Sequence, residues 1–365
     1  MEAVEQKDFF ISRRYNLTWA FVLLIGCYLA LLYPVYFPRQ KIIWRKYMKE
    51  RQLNEVLLNH SAELLNQPCR LMWSQARLRE LYSVKLTPVV PVFLQMHDVG
   101  STQSGLDKFL TPFGLKGNTK LAIKALQGLP HTSLTPELVS RTCKRCVVVG
   151  SGGVLHGSQL GSHIDRHNII IRLNDAPVTD FEEDVGSRTT IRLTYPEGAP
   201  KSPKEYSNNT LLVIAIYKSV DLAWFSSMVN KQTLGWWTKL WFWKSVVESV
   251  PIKAENFRIL NPKIILETAL QLLQYPEPNN MMTAFSQVPT IGMTAVIAAI
   301  RLCDEVSLAG FGYSLEQPDV PLRYYDTVRM DAMKVQPIHD VETEKIFLRT
   351  LVHARAINDL SGGIS

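Results

Sequence analysis

The chain has 365 residues, 46% hydrophobic and 20% charged, with 19 glycines and 20 prolines, a globular composition that excludes disordered, collagen-like and low-complexity classes. Of its formal net charge of +7, residues 1–51 supply +5, through nine basic residues (Lys7, Arg13, Arg14, Arg39, Lys41, Arg45, Lys46, Lys49, Arg51) against four acids. The remaining +2 leaves the body nearly neutral, which excludes a polyanion-binding surface and hence nucleic acid as a partner.

Leu17 to Phe37 is a run of 21 residues without a charge, enough for one helix across a bilayer. Trp19, Tyr33 and Tyr36 lie near its ends, where aromatic rings favour the headgroup zone. The residues after it, Tyr36-Phe37-Pro38-Arg39, do not resemble a cleavage site, so the run reads as a retained anchor. Leu211–Tyr217 and Met293–Leu302 are too short to be a second span, which makes the chain single-pass. Three basic residues before the span and six soon after favour a cytosolic body. Acceptor triplets at Asn59 and Asn208, and four cysteines beyond the span (Cys69, Cys143, Cys146, Cys303), suit an oxidising lumen instead. On these residues alone the topology stays open.

Residues 38–66 are polar and helix-prone and read as a stem. Loop signals at Gly100–Gly105 and Pro112-Phe113-Gly114 mark the mixed stretch that follows. Arg145–Val149 is a β-branched run that ends in Gly150-Ser151-Gly152-Gly153, with Leu155, Gln159, Leu160 and His163 at helical spacing after it. Further buried strands are expected at Asn168–Leu173, Thr190–Leu193, Leu211–Tyr217, Arg258–Leu260 and Val306–Phe311, with helices near 219–230, 262–274 and 292–303. Apolar strands alternating with helices predict one α/β domain built on a mostly parallel twisted sheet covered on both faces.

A glycine turn between strand and helix suits a phosphate or carboxylate. The full dinucleotide pattern would place glycine at 155, where Leu155 stands. P-loop, G-x-S-x-G and H-E-x-x-H motifs are absent, Cys143-x-x-Cys146 has no matching second pair for zinc, and no Asp-x-Asp is present to hold a divalent cation at a pyrophosphate. His339 precedes an amphipathic stretch (Ile346, Phe347, Leu351, Val352) and reads either as a general base or as a helix-entry residue. Gly235–Lys244 holds four of the eight tryptophans. Buried aromatic packing is the favoured reading there, against an interfacial patch that receives an amphiphilic substrate.

Together these blocks resemble the animal sialyltransferases. Cys146 to Gly153, Ile171 to Pro177 and Val185 to Thr190 are similar to their large motif; Pro289 to Gly292, Leu302 to Val306 and Gly310 to Gly312 to the small one. Arg323-Tyr324-Tyr325-Asp326 matches the third motif, and His339 with Glu344 the very small one. Four ordered motifs over roughly 200 residues are far more specific than any one alone. Thr194–Pro200, the tryptophan segment and Asp359–Ile364 are similar to the glycolipid-directed branch, and that likeness runs from about Cys69 to the C-terminus.

The resemblance implies a single Rossmann-like (GT-A-like) domain of the metal-independent type. It further implies a single-pass type II protein of the Golgi membrane, with 1–16 as cytosolic tail, 17–37 as signal-anchor, 38–68 as stem and 69–365 as luminal catalytic domain. The donor would be CMP-sialic acid, with no cofactor or metal, and the acceptor a glycosphingolipid with terminal galactose. Lactosylceramide is the expected acceptor and galactosylceramide the close alternative. His339 would be the base; Ser151, Asn174, Tyr195, Thr290, Gly292, Gly312, Arg323 and Tyr324 would bind the donor, Gly292 and Gly312 by letting backbone approach the nucleotide. Cys146–Cys303 and Cys69–Cys143 would be disulfides. Ser151 replaces a common Asn, Val288 stands where some relatives have Tyr, and Arg323 where His is usual. The last keeps a catalytically silent paralogue in play beside an NAD-linked oxidoreductase. The oligomeric state is open.

Overall fold

The computed structural model describes residues 22–27, 55–82, 90–101, 103–129, 133–277, 288–312, 320–330 and 339–364. The expected cytosolic tail lies outside them, as does all of the expected anchor except the helical, exposed stretch 22–27. Among the described residues no helix is long and apolar enough to cross a membrane.

Seven strands form one parallel sheet: β1 (Arg145–Val149), β2 (Ile169–Leu173), β3 (Ile191–Thr194), β4 (Leu211–Ile214), β5 (Phe257–Ile259), β6 (Glu305–Ala309) and β7 (Asn358–Asp359). Their order is β5-β4-β3-β2-β1-β6-β7, and every pairing is parallel. Successive crossovers run outward from β1 through β5, and the chain then returns to place β6 on the other side of β1. The order therefore reverses between β1 and β6, which opens a crevice at their C-terminal ends. Six strands match the expected runs within a few residues. The two-residue β7 is too short to leave a periodic signal.

Alternate residues of β1 point to opposite faces, and both faces are covered. Cys146 and Val148 share a core with Val296 and Ile300, whereas Val147 and Val149 pack with Leu155, Leu160 and Ile164. Six longer helices surround the sheet: α1 (Glu55–Asn66), α2 (Trp73–Tyr82), α3 (Thr119–Gln127), α4 (Ser219–Val229), α5 (Ile291–Leu302) and α6 (Val341–His353). α5 lies against β1, β2, β3 and β6, with all of Met293–Ile300 buried. α4 and α3 cover the apolar residues of β4 and β5 on the other side. The expected helix at 262–274 is α-helical over Pro262–Leu266 and continues as a wider π-type turn over Glu267–Leu272.

α1 falls within the expected stem yet docks on the domain. Leu65 is buried, and its carbonyl accepts a hydrogen bond of 2.9 Å from Arg145. The packed unit thus begins by Glu55, ahead of the expected boundary at Cys69. Two disulfides close it. Cys69–Cys143 spans 74 residues with Cα atoms 6.3 Å apart. Cys146–Cys303 spans 157 residues with Cα atoms 6.0 Å apart and ties β1 to the end of α5.

Candidate functional site

A cavity of about 260 Å³ opens at the β1/β6 crevice. Ser151, Asn174, Tyr195, Thr290, Gly292, Gly312, Arg323 and His339, all singled out from the sequence, line it together. Residues up to 188 positions apart in sequence, Ser151 and His339, meet here because each follows a strand or starts a helix at the same edge of the sheet.

The two glycine turns form the floor. Gly152 N–H donates to the Gly310 carbonyl (2.9 Å), and a Cβ on Gly152 would lie 2.6 Å from that oxygen. No larger residue fits between the ends of β1 and β6. The expectation that a helix follows directly on Gly150–Gly153 is corrected. Only a single 3-10 turn follows, over Gly153–Leu155, and the helix there is confined to Gly161–Asp165. Gly157 and Gln159 adopt positive φ (69° and 56°), and their N–H groups donate to the Asp184 carboxylate (2.7 and 2.9 Å), which breaks the helical path. The helix N-termini at the cavity are instead those of α5 and α6, whose first turns supply Ile291, Gly292, Val341 and Glu344 to its wall.

Thr290 caps α5. Its hydroxyl accepts from Met293 N–H (3.0 Å), and the buried Glu344 carboxylate in turn accepts from the Thr290 N–H (2.6 Å) and hydroxyl (2.5 Å). The amides of Ile291 and Gly292, in the first turn, have no acceptor within the helix, and the helix dipole adds partial positive charge beside the cavity. Thr290 therefore acts as a cap. Burial pushes the Glu344 carboxyl up to about 7, against the opposing hydrogen bonds from Thr290.

His339 is half-buried, and its Nδ1 lies 2.6 Å from the Val288 carbonyl oxygen. A carbonyl only accepts, so Nδ1 carries the proton and Nε2 of the neutral ring keeps its lone pair. Burial lowers the His339 pKa from 6.5, opposed by this hydrogen bond, so the ring is neutral near pH 7. The Val288 side chain, which departs from some relatives, is beside the point; its backbone does the orienting.

Asn174 sits just past β2 with φ of 49°. Its carbonyl accepts from buried Arg192 (2.9 Å), which is also paired with Glu205 (3.0 Å), so the turn is fixed from below. Tyr195 packs edge-on against Tyr217 with centroids 5.5 Å apart. Burial first, then the Glu197 and Asp175 carboxylates, raise its hydroxyl to about 12, which leaves it a proton donor at neutral pH. Arg323 pairs with Gly152 in an isolated antiparallel bridge and holds an ion pair to Asp326 at 2.9 Å.

Two assignments from the sequence change. Tyr324 is absent from the cavity wall: it is 1% exposed, its hydroxyl donates to the Pro177 carbonyl, and its ring packs edge-on against Phe181 and Tyr325. Its neighbour Tyr325 lines the cavity instead, with Asp175 and Lys345. Gly312 lines the cavity, but the need for glycine there is internal. With φ of +104°, its Cβ position falls 1.7 Å from the Gly363 carbonyl oxygen. Gly292 is less constrained, a Cβ there lying 3.3 Å from the Phe311 ring. Among the described residues no group of three or more His, Cys, Asp or Glu side chains is placed to hold a metal ion. Asn59 is exposed on α1, with Ser61 of its triplet buried, and Asn208 is exposed in the loop before β4.

Residues 93–356 match the profile of glycosyltransferase family 29 (sialyltransferase). The lactosylceramide alpha-2,3-sialyltransferase of Homo sapiens is 46% identical over 310 residues, covering 84% of this chain and 73% of that relative. The CMP-N-acetylneuraminate-beta-1,4-galactoside alpha-2,3-sialyltransferase of Mus musculus is 43% identical over 296 residues, covering 81% of this chain and 78% of that relative. A crystal structure of a mammalian sialyltransferase shares the fold, with a TM-score of 0.61 at 23% identity over 81% of this chain and 99% of that one. An oxidoreductase built on the first glycine turn is thereby set aside. The chain belongs to glycosyltransferase family 29 and is a sialyltransferase.

Proposed function

We propose that the protein transfers sialic acid from CMP-sialic acid to the 3-hydroxyl of the terminal galactose of lactosylceramide, without a metal ion. The observation that carries the reading is the convergence on one cavity of a neutral, tautomer-fixed His339 and the first turn of α5. The galactose oxygen attacks the anomeric carbon of sialic acid from the face opposite CMP. Its proton passes to Nε2 of His339, while the electron pair of the breaking bond leaves on the CMP phosphate. One displacement inverts the anomeric centre, since no enzyme nucleophile intervenes.

The departing phosphate is matched by the first-turn amides of α5, the Tyr195 hydroxyl and the permanently charged Arg323. Ser151 and Asn174 hold the rest of the donor from the ends of β1 and β2. Arg323 supplies charge where a histidine would titrate, so the third motif keeps its electrostatic role at any working pH. The acceptor assignment rests on the 46% identity to a lactosylceramide enzyme over 84% of the chain. The 21 uncharged residues of Leu17–Phe37 support a single membrane span, and the likeness to the sialyltransferases supports a Golgi, type II placement with the catalytic unit in the lumen.

The test presents CMP-sialic acid in EDTA with lactosylceramide, galactosylceramide and a desialylated glycoprotein in separate reactions. Transfer to lactosylceramide above the others supports the reading. Preference for galactosylceramide or the glycoprotein overturns the acceptor, a requirement for added divalent cation overturns metal independence, and CMP binding without transfer favours a silent paralogue.

A further inference from the structure

The tryptophan segment is exposed, against the expectation of buried packing. Trp236, Trp237, Leu240, Trp241 and Trp243 are 62%, 66%, 66%, 74% and 69% exposed. At 150–250 Å² per large aromatic, the four indoles present on the order of 600 Å², at the upper end of the largest apolar patches found on soluble monomers. The segment is nonetheless firmly built. Trp236–Lys239 is one helical turn, and Leu240, Trp241 and Phe242 continue it by hydrogen bonds of 3.2–3.3 Å to Trp237, Thr238 and Lys239. Phe242, 8% exposed, anchors it in the core over β4 and β5.

We propose that this patch seats the catalytic unit on the bilayer and brings the glycolipid headgroup to the cavity; the inference rests on the glycolipid reading above. Three observations select a lipid surface as the occupant. Indoles favour the headgroup zone, and Lys239 and Lys244 stand among them, with Lys244 Nζ 5.4 Å from the Trp243 ring centroid. The patch is also tied to the cavity rim. Lys244 Nζ lies 3.9 Å from the carboxylate of Asp175, a cavity residue, and Lys218 joins the Trp241 carbonyl (3.3 Å) to Glu197 behind Tyr195. Finally, only residues 38–54 separate the uncharged run Leu17–Phe37 from α1, a tether of at most about 60 Å at full extension. A galactose linked to ceramide through one further sugar can enter only a cavity whose mouth lies at the membrane, and this patch puts it there.

The test uses the full chain reconstituted in phosphatidylcholine vesicles, comparing the parent with the Trp237→Ser/Trp241→Ser/Trp243→Ser variant. Transfer to vesicle-embedded lactosylceramide is expected to fall tenfold or more, while transfer to a soluble lactoside stays within twofold. Equal losses on both acceptors assign the tryptophans a structural role and overturn the proposal, as does no loss on either. Brominated phosphatidylcholine provides an arm independent of activity: the parent should show more quenched tryptophan emission than the variant, in which Trp19 of the uncharged run and Trp236 remain to be quenched at the bilayer. Should the parent transfer to neither acceptor, the glycolipid reading fails while the quenching still decides membrane docking. Unchanged quenching together with a variant that falls from dimer to monomer would assign the patch to a second copy of the chain and overturn the lipid assignment.

Discussion

The Nδ1 atom of His339 lies 2.6 Å from the carbonyl oxygen of Val288, two residues before Thr290, the N-cap of α5. This bond joins the proposed base to the proposed phosphate site, because Val288, Pro289 and the cap residue Thr290 form one stretch of backbone. His339→Ala should lower kcat by roughly 10²–10⁴-fold, the usual worth of general acid–base catalysis, with CMP affinity retained. Because burial lowers the His339 pKa from 6.5, the acid limb of kcat/KM should fall below 6.5, activity declining only as the ring becomes charged. A limb well above that value would contradict the assignment.

Glu344 holds the same cap from the other side through both Thr290 bonds. Glu344→Gln leaves an amide N–H facing one of these donors, and unfolding free energy should fall by about 1–3 kcal/mol, with a higher donor KM. The pH dependence has a definite sign. The folded pKa, about 7, is raised above the ordinary 4.5, so this group's contribution is fully present below 4.5 and is lost as pH rises through about 7. The variant should flatten that decline, which thermal midpoints measured across the range will read directly.

Gly312→Ala should destabilise by several kcal/mol, since a positive φ and a backbone overlap act together. Gly292→Ala, with its 3.3 Å contact to a movable ring, should fold nearly as well as the parent and lose donor affinity instead. Equal thermal midpoints for the two variants would sink the distinction.

Cys146–Cys303 closes 157 residues, for which chain entropy gives about 5 kcal/mol as an upper figure. Cys303→Ser should lower the denaturant midpoint more than Cys69→Ser, whose loop of 74 residues is shorter. The reverse order would show that local packing, not loop closure, governs the two bridges.

Much of this arrangement was legible beforehand. Val147, Val148 and Val149 announce a strand buried on both faces, and the motif order brings Ser151, Asn174, Gly292 and His339 together without any structure in hand. Backbone roles left no such trace. The Val288 carbonyl orients the base whatever its side chain, so residue identity was a misleading guide there. The Tyr324/Tyr325 pair illustrates a second limit. Which of two adjacent rings faces the cavity depends on how the chain pairs with Gly152, a register that motif matching does not carry. Likewise, hydrophobicity alone favours buried packing for Trp236 to Trp243, whereas their indoles are exposed. Only their position beyond the anchoring Phe242 reveals an outward patch.

The most direct measurement is an NMR-followed reaction of the full chain with CMP-sialic acid and lactosylceramide, run beside His339→Ala. An α-linked sialic acid on the galactose 3-oxygen, formed with inversion by the parent and lost in the variant, is the predicted result. A product of retained configuration, linkage to another hydroxyl, or undiminished transfer by the variant would contradict the account.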